Sequence, residues 1–192
     1  VKEVLGNHAI QTTSVNRPIL ARHPEGGIRN LLSYTQEFDN WNKGANITLT
    51  NNYATSPDNT QTADRLQMGT QAETFVRQLV NVTSGETYTF SVYVKATSGT
   101  SDFNIFSPSS NLGTQTATSE WQRFTYTSTV AVNGNYYFGI SNGGDTYSSD
   151  ILIWGAQVEE GSTATQYQHV TDDLRYDITE PFGANSLNYL KF

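Results

Sequence analysis

Between residues 86 and 97 every second side chain is apolar. Tyr88, Phe90, Val92 and Val94 alternate with Thr87, Thr89, Ser91, Tyr93 and Lys95, a period of two that gives a strand one dry and one wet face. The period returns over 121–130, where Phe124, Tyr126 and Val130 share one parity and Arg123, Thr125 and Thr127 the other. Over 136–141 it returns again, preceded by Asn133-Gly134, which suits the positive φ angles of a type I′ turn and predicts a tight hairpin. Ile151-Leu152-Ile153-Trp154 is a continuous apolar run, short enough for a strand covered on both faces. Weaker strands are expected over 46–52, 62–68, 74–81 and 103–106.

Short strands parted by turn signals, with no helical pattern between them, predict an antiparallel β-sandwich of jelly-roll type. A parallel sheet would need crossover helices. The residue usage agrees: 26 Thr, 11 Tyr and 9 Phe fit half-buried pleated surfaces, and charged residues make up only 15%. The sandwich is expected over 28–170. Residues 1–27, with Pro18 and Pro24, show no sustained period and read as an extended N-terminal arm. Residues 171–192 read as a C-terminal arm with a turn at Glu180-Pro181-Phe182-Gly183. Polar arms of this kind need partners to order them, so a homo-oligomer is expected, a trimer favoured, with arms crossing between chains.

Several functions are disfavoured. A net charge of −7 with 11 Lys and Arg speaks against nucleic-acid binding, which needs clustered cations. No run of 18 apolar residues exists, so no membrane insertion is expected, and residues 1–7 lack the apolar core of a signal peptide. Without cysteine there are no disulfides or thiolate metal sites. The histidines, His8, His23 and His169, stand in no catalytic context, and the adjacent pairs Glu159-Glu160 and Asp172-Asp173 would point to opposite faces of a strand. No enzyme activity is expected. No cofactor is called for except a structural calcium, for which Asp39 and Asp150 are the candidate ligands at turns, against the plainer reading that both cap turns.

The aromatic residues carry the functional signal. A sugar stacks its apolar C–H face on an exposed Trp or Tyr and offers its hydroxyls to amides and carboxylates. Tyr93 and Tyr137 fall on the polar parity of their strands and Trp41 in a loop, which makes these three the candidate glycan-binding residues. Trp121 and Trp154 sit inside strand patterns and read as core. Exposed tyrosines also serve protein interfaces, so the residues alone leave glycan and protein partners equally open.

Four stretches, in order, add a resemblance. They are Asn30-Leu31-Leu32-Ser33-Tyr34-Thr35-Gln36-Glu37-Phe38-Asp39-Asn40-Trp41; Ser91-Val92-Tyr93-Val94-Lys95-Ala96; Trp121-Gln122-Arg123-Phe124; and 153–165, which opens Ile153-Trp154-Gly155-Ala156-Gln157. Together they resemble a carbohydrate-binding-module-like jelly roll found in structural proteins of tailed bacteriophages. Gly6-Asn7-His8-Ala9-Ile10-Gln11 with Arg17-Pro18 is similar to the close of a concanavalin-like lectin module. The resemblance implies a non-catalytic protein on the virion surface, capsid-associated or in a fibre, among other virion proteins and recognising host glycan. Two alternatives stand beside it: a capsid decoration protein bound only to the shell, and a carbohydrate-targeting module of a secreted glycoside hydrolase.

Overall fold

The computed structural model describes residues 29–71, 74–107, 110–143 and 148–171, together with the backbone of 20–22 and 188–190. Twelve strands run through these segments: β1 Leu20–Arg22, β2 Asn42–Lys43, β3 Ile47–Ala54, β4 Ala63–Met68, β5 Phe75–Val82, β6 Thr87–Ala96, β7 Ser101–Ser107, β8 Ser110–Ala117, β9 Gln122–Thr129, β10 Gly134–Ser141, β11 Ser149–Glu160 and β12 Asn188–Leu190. Ten of them form two five-stranded antiparallel sheets, ordered β2-β5-β10-β7-β8 and β3-β4-β11-β6-β9. This is the expected sandwich. Within it, only the consecutive pairs β3–β4 and β7–β8 are hydrogen-bonded neighbours; every other connection crosses between sheets.

The alternation in the sequence decides which faces meet. Phe90, Val92, Val94 and Ala96 of β6 turn inward, as do Val76, Val80 and Val82 of β5 and Phe138 and Ile140 of β10. Ring contacts stitch the layers together: Phe90 lies 6.3 Å from Phe138 and Phe103 meets Phe124 edge-on at 5.0 Å. β11 runs through the centre of its sheet, and both its faces are covered, which accounts for the unbroken apolar run at 151–154.

The hairpin expected at Asn133-Gly134 does not form. β9 pairs with β6 and β10 with β5, so the two strands lie in opposite sheets. Asn133 is not among the described residues with positive φ, as a type I′ turn would require. The connection is instead pinned to the turn before β6. Val130 exchanges backbone hydrogen bonds with Gly85 and Glu86, and Ser84 N–H donates to Asn133 Oδ1 at 2.6 Å. The opening stretch 30–41 contains no strand. It lies along β11 as a strap, with Leu31 N–H donating to Val158 and Ala156 N–H donating to Thr35, and ends in a short 3₁₀ turn, Phe38–Asn40.

β1 and β12, one in each expected arm, pair antiparallel within the same chain. Apart from Thr171, the remaining arm residues, including His8, His23, Pro18, Pro24, Asp172-Asp173, the lectin-like segment and the turn at 180–183, lie outside the described residues, as does any contact between chains. Among the described residues no helix is long and apolar enough to cross a membrane.

One buried carboxylate couples this fold to pH. Asp64, 1% exposed, accepts hydrogen bonds from the backbone N–H groups of Asn52 at 2.9 Å and Phe38 at 3.3 Å. Burial outweighs these bonds and, with Asp39 and Glu37 nearby, pushes its pKa up from the ordinary 3.8 to about 6. A raised carboxyl pKa favours the folded state fully below pH 3.8, and that advantage disappears as pH rises through 6. The amount is about 2–3 kcal/mol. Urea unfolding between pH 4 and 7 should show wild type losing stability relative to Asp64→Asn as pH rises. A difference independent of pH would refute the assignment.

Candidate functional site

Strand parity places a strip of aromatic rings on the outer face of the β2-β5-β10-β7-β8 sheet. Where Val76, Val80 and Val82 of β5 point inward, Phe75, Arg77, Leu79 and Asn81 point outward. On β10 the outward residues are Asn135, Tyr137, Gly139 and Ser141, paired with Asn81, Leu79, Arg77 and Phe75 respectively. Phe106 of β7 stands opposite Gly139 on the other side.

Arg77 organises this face. Its guanidinium carbon lies 3.7 Å from the centre of the Phe75 ring, 3.9 Å from that of Tyr137 and 5.3 Å from that of Phe106. Gly139 leaves it room, for a Cβ there would stand 2.1 Å from the Val76 carbonyl oxygen and within 3 Å of Arg77 Cα and Cβ. Around the rings lie Leu79, 48% exposed, Asn42, whose Oδ1 accepts from Arg77 Nε at 3.4 Å, and the exposed Asn81–Asn135 amide pair, bonded at 3.0 Å. Rings that stack, amides that bond hydroxyls and a guanidinium held among them make a surface suited to a flat polar ligand.

Of the three predicted aromatic residues, only Tyr137 belongs to this face. Trp41 is not exposed: it is 4% accessible, packs on Phe38 at 4.9 Å and donates its indole N–H to the Tyr34 carbonyl at 2.9 Å. The strap buries it, and the expectation that it stacks on a ligand is corrected. Tyr93 lies on the outer face of the opposite sheet, half-buried and edge-on to Trp154, whose indole also packs on Tyr167 at 4.7 Å. Arg123 holds the arrangement, donating to the Thr165 carbonyl and Ser91 Oγ. Tyr93 is thus a packing residue, unable to share a ligand with Tyr137. Trp154 is buried as expected, but under 161–170 rather than between the sheets. Trp121 is only half-buried and donates to the Thr55 carbonyl at 3.2 Å, outside the core.

Phe75, Arg77 and Phe106 were absent from the sequence reading. A signal existed: the valines at 76, 80 and 82 force their odd-numbered neighbours outward. Phe103 and Phe106, an odd spacing apart, cannot both face the core of one regular strand.

An open polar cavity of about 730 Å³ lies at one end of the other sheet, lined by Asn46, Thr48, Gln67, Thr97, Ser101 and Asp150 among others. Its carboxylate is already occupied. Arg65 donates to Asp150 through Nε at 2.9 Å and Nη2 at 2.6 Å, which holds the Asp150 carboxyl below its ordinary range. Asp39, the other proposed calcium ligand, is exposed in the 3₁₀ turn and its backbone carbonyl accepts from Lys43. No group of three or more acidic or histidine side chains gathers among the described residues.

Glu159 is 2% exposed and fully engaged, accepting from Thr165 N–H at 2.8 Å, Thr165 Oγ1 at 2.6 Å and Gln157 Nε2, whereas Glu160 is exposed. This is a structural carboxylate rather than half of an acid–base pair.

No family model matches the sequence, and no curated protein matches it. Among solved structures the fold is similar to the CBM22-1 xylan-binding domain of Paenibacillus barcinonensis Xyn10C, at 15% identity and a TM-score of 0.50, covering 75% of this chain and 99% of that one. A carbohydrate-binding module of Cellvibrio mixtus lichenase 5A, solved with cellotriose, aligns at 13% identity and a TM-score of 0.43, over 69% of this chain and 99% of that chain. The enzymatically active domain of bacteriophage CBA120 tailspike protein 4 aligns at 13% identity and a TM-score of 0.42, over 69% of this chain but 21% of the other. The first likeness shows the fold: a jelly-roll sandwich shared with that xylan-binding domain.

Proposed function

We propose that this chain is a non-catalytic glycan-binding module, with the outer face of the β2-β5-β10-β7-β8 sheet as its binding surface. The observation that carries the reading is the Phe75–Arg77–Tyr137 stack with its rim of asparagines. Rings fixed in place lose little entropy on binding, and amides beside them supply directional bonds to hydroxyls. The sandwich shared with a xylan-binding domain supports the same chemistry.

The four-motif resemblance supports a place on the virion surface, as a capsid-associated or fibre protein working among other virion proteins. A targeting module of a secreted glycoside hydrolase fits the fold equally well. Affinity electrophoresis against soluble polysaccharides tests the shared reading: at least one should retard the intact protein, with no release of reducing ends. Retardation by none, or turnover, would overturn it. Labelling with an antibody against the chain then separates the settings, since a virion protein decorates phage particles whereas an enzyme module co-purifies with hydrolase activity.

A further inference from the structure

Arg77 offers more to a ligand than a neutral sugar needs. Its guanidinium carbon already lies within 4 Å of two ring centres, so its remaining capacity is hydrogen bonding by the N–H fork. Only Nε is engaged, at 3.4 Å to Asn42; no described residue accepts from Nη1 or Nη2, and no described carboxylate pairs with it. Arg65 is the internal contrast, because Asp150 fills its fork with two short bonds. The surroundings point the same way. The chain carries a net charge of −7, yet the strands of this sheet contain Lys43 and Arg77 against one carboxylate, Asp102. Asp102 lies towards the end of β7 away from Phe106, accepting from Thr116 Oγ1 at 2.7 Å. At physiological salt, charges beyond about 8 Å are largely screened, so the local cation governs what this face attracts.

We propose that this face binds an anionic glycan, one whose sugars carry carboxylate or phosphate, with the Arg77 fork receiving the oxyanion while Phe75, Tyr137 and Phe106 line the sugar ring's path. The proposal rests on the glycan-binding reading above and narrows its ligand. A planar guanidinium matches two oxygens of a carboxylate or phosphate side by side. The rings pack against it before any ligand arrives, so little ordering remains to be done on binding.

The test measures binding of the intact chain to four polymers: polygalacturonate, its methyl ester, a poly(glycerol phosphate), and neutral xylan. Polygalacturonate or the phosphate polymer should bind at least about tenfold tighter than the ester and xylan, with the advantage shrinking as salt rises. The acid–ester pair has the same sugar and differs only in charge, so this contrast needs no variant. Whichever anionic polymer binds better identifies the oxyanion. Arg77→Gln, checked for an unchanged melting temperature, should erase the preference. Equal binding of acid and ester by wild type, with the phosphate polymer bound no tighter than xylan, would overturn the anionic proposal while leaving glycan binding intact. Binding to none of the four, nor to any polysaccharide in the electrophoresis panel, would overturn both.

Discussion

Replacing Asn30 with leucine should remove about 4 kcal/mol of stability, a large share of the roughly 5–15 kcal/mol available to a domain. Asn30 has no exposed surface, and its amide is saturated. Nδ2 donates to the carbonyls of Ala156 and Gln168, each at 3.0 Å, while Oδ1 accepts from the N–H groups of Leu32 and Val158, each at 3.1 Å. One side chain thereby joins the strap, β11 and the segment that follows it. Leucine fills a similar volume but leaves buried donors and acceptors unpaired, each costing about 1–3 kcal/mol before relaxation. Urea midpoints at constant slope would report the loss. A change under about 1 kcal/mol would show that the strap does not lock the sheet.

Gly139→Ala carries the second large effect, and it ties fold to site. The glycine is needed for space, not for an unusual backbone angle. The nearest atoms to an added Cβ are backbone, Val76 O at 2.1 Å and Arg77 Cα at 2.6 Å, so no flexible side-chain end can swing aside. β10 must therefore shift away from β5, at a cost of about 3 kcal/mol or more. The same shift disturbs the Arg77 stack, so ligand binding should fall together with melting temperature. Gly99→Ala is the comparison: its φ of +55° carries a backbone penalty, but nothing lies within 4 Å of the new methyl, and the cost should stay near 1–2 kcal/mol. If Gly139→Ala melts no lower than Gly99→Ala, the close approach is not what the geometry implies.

What could be read in the sequence was whatever the strand period controls. β6, β9 and β11 stand out because one or both of their faces are apolar, and the parity of β10 correctly sends Tyr137 outward. β8 is invisible for the converse reason: an edge strand paired only with β7, its sequence Ser-Asn-Leu-Gly-Thr-Gln-Thr-Ala has no dry face to announce it. Asn133-Gly134 misled because turn chemistry is local, whereas the choice between pairing β9 with β10 and sending them to opposite sheets is made by the apolar faces of both. Trp41 misled because residues outside a strand have no parity, and only the folded strap shows that its indole turns inward. The Arg77 stack draws on β5, β7 and β10, no two of which are consecutive in the chain, so no short window contains it.

The central claim is that the Tyr137 face, rather than any other surface, holds the glycan. Calorimetric titration of the tightest-binding polysaccharide into wild type, Tyr137→Ala and Tyr53→Ala tests it directly. Tyr53 is the fair control, 49% exposed on the opposite sheet with its ring also under an arginine, Arg65 at 5.0 Å. Tyr137→Ala should weaken binding at least about tenfold, near 1.4 kcal/mol, with Tyr53→Ala indistinguishable from wild type. Loss of binding in Tyr53→Ala with Tyr137→Ala unchanged would place the ligand on the other sheet and contradict the account.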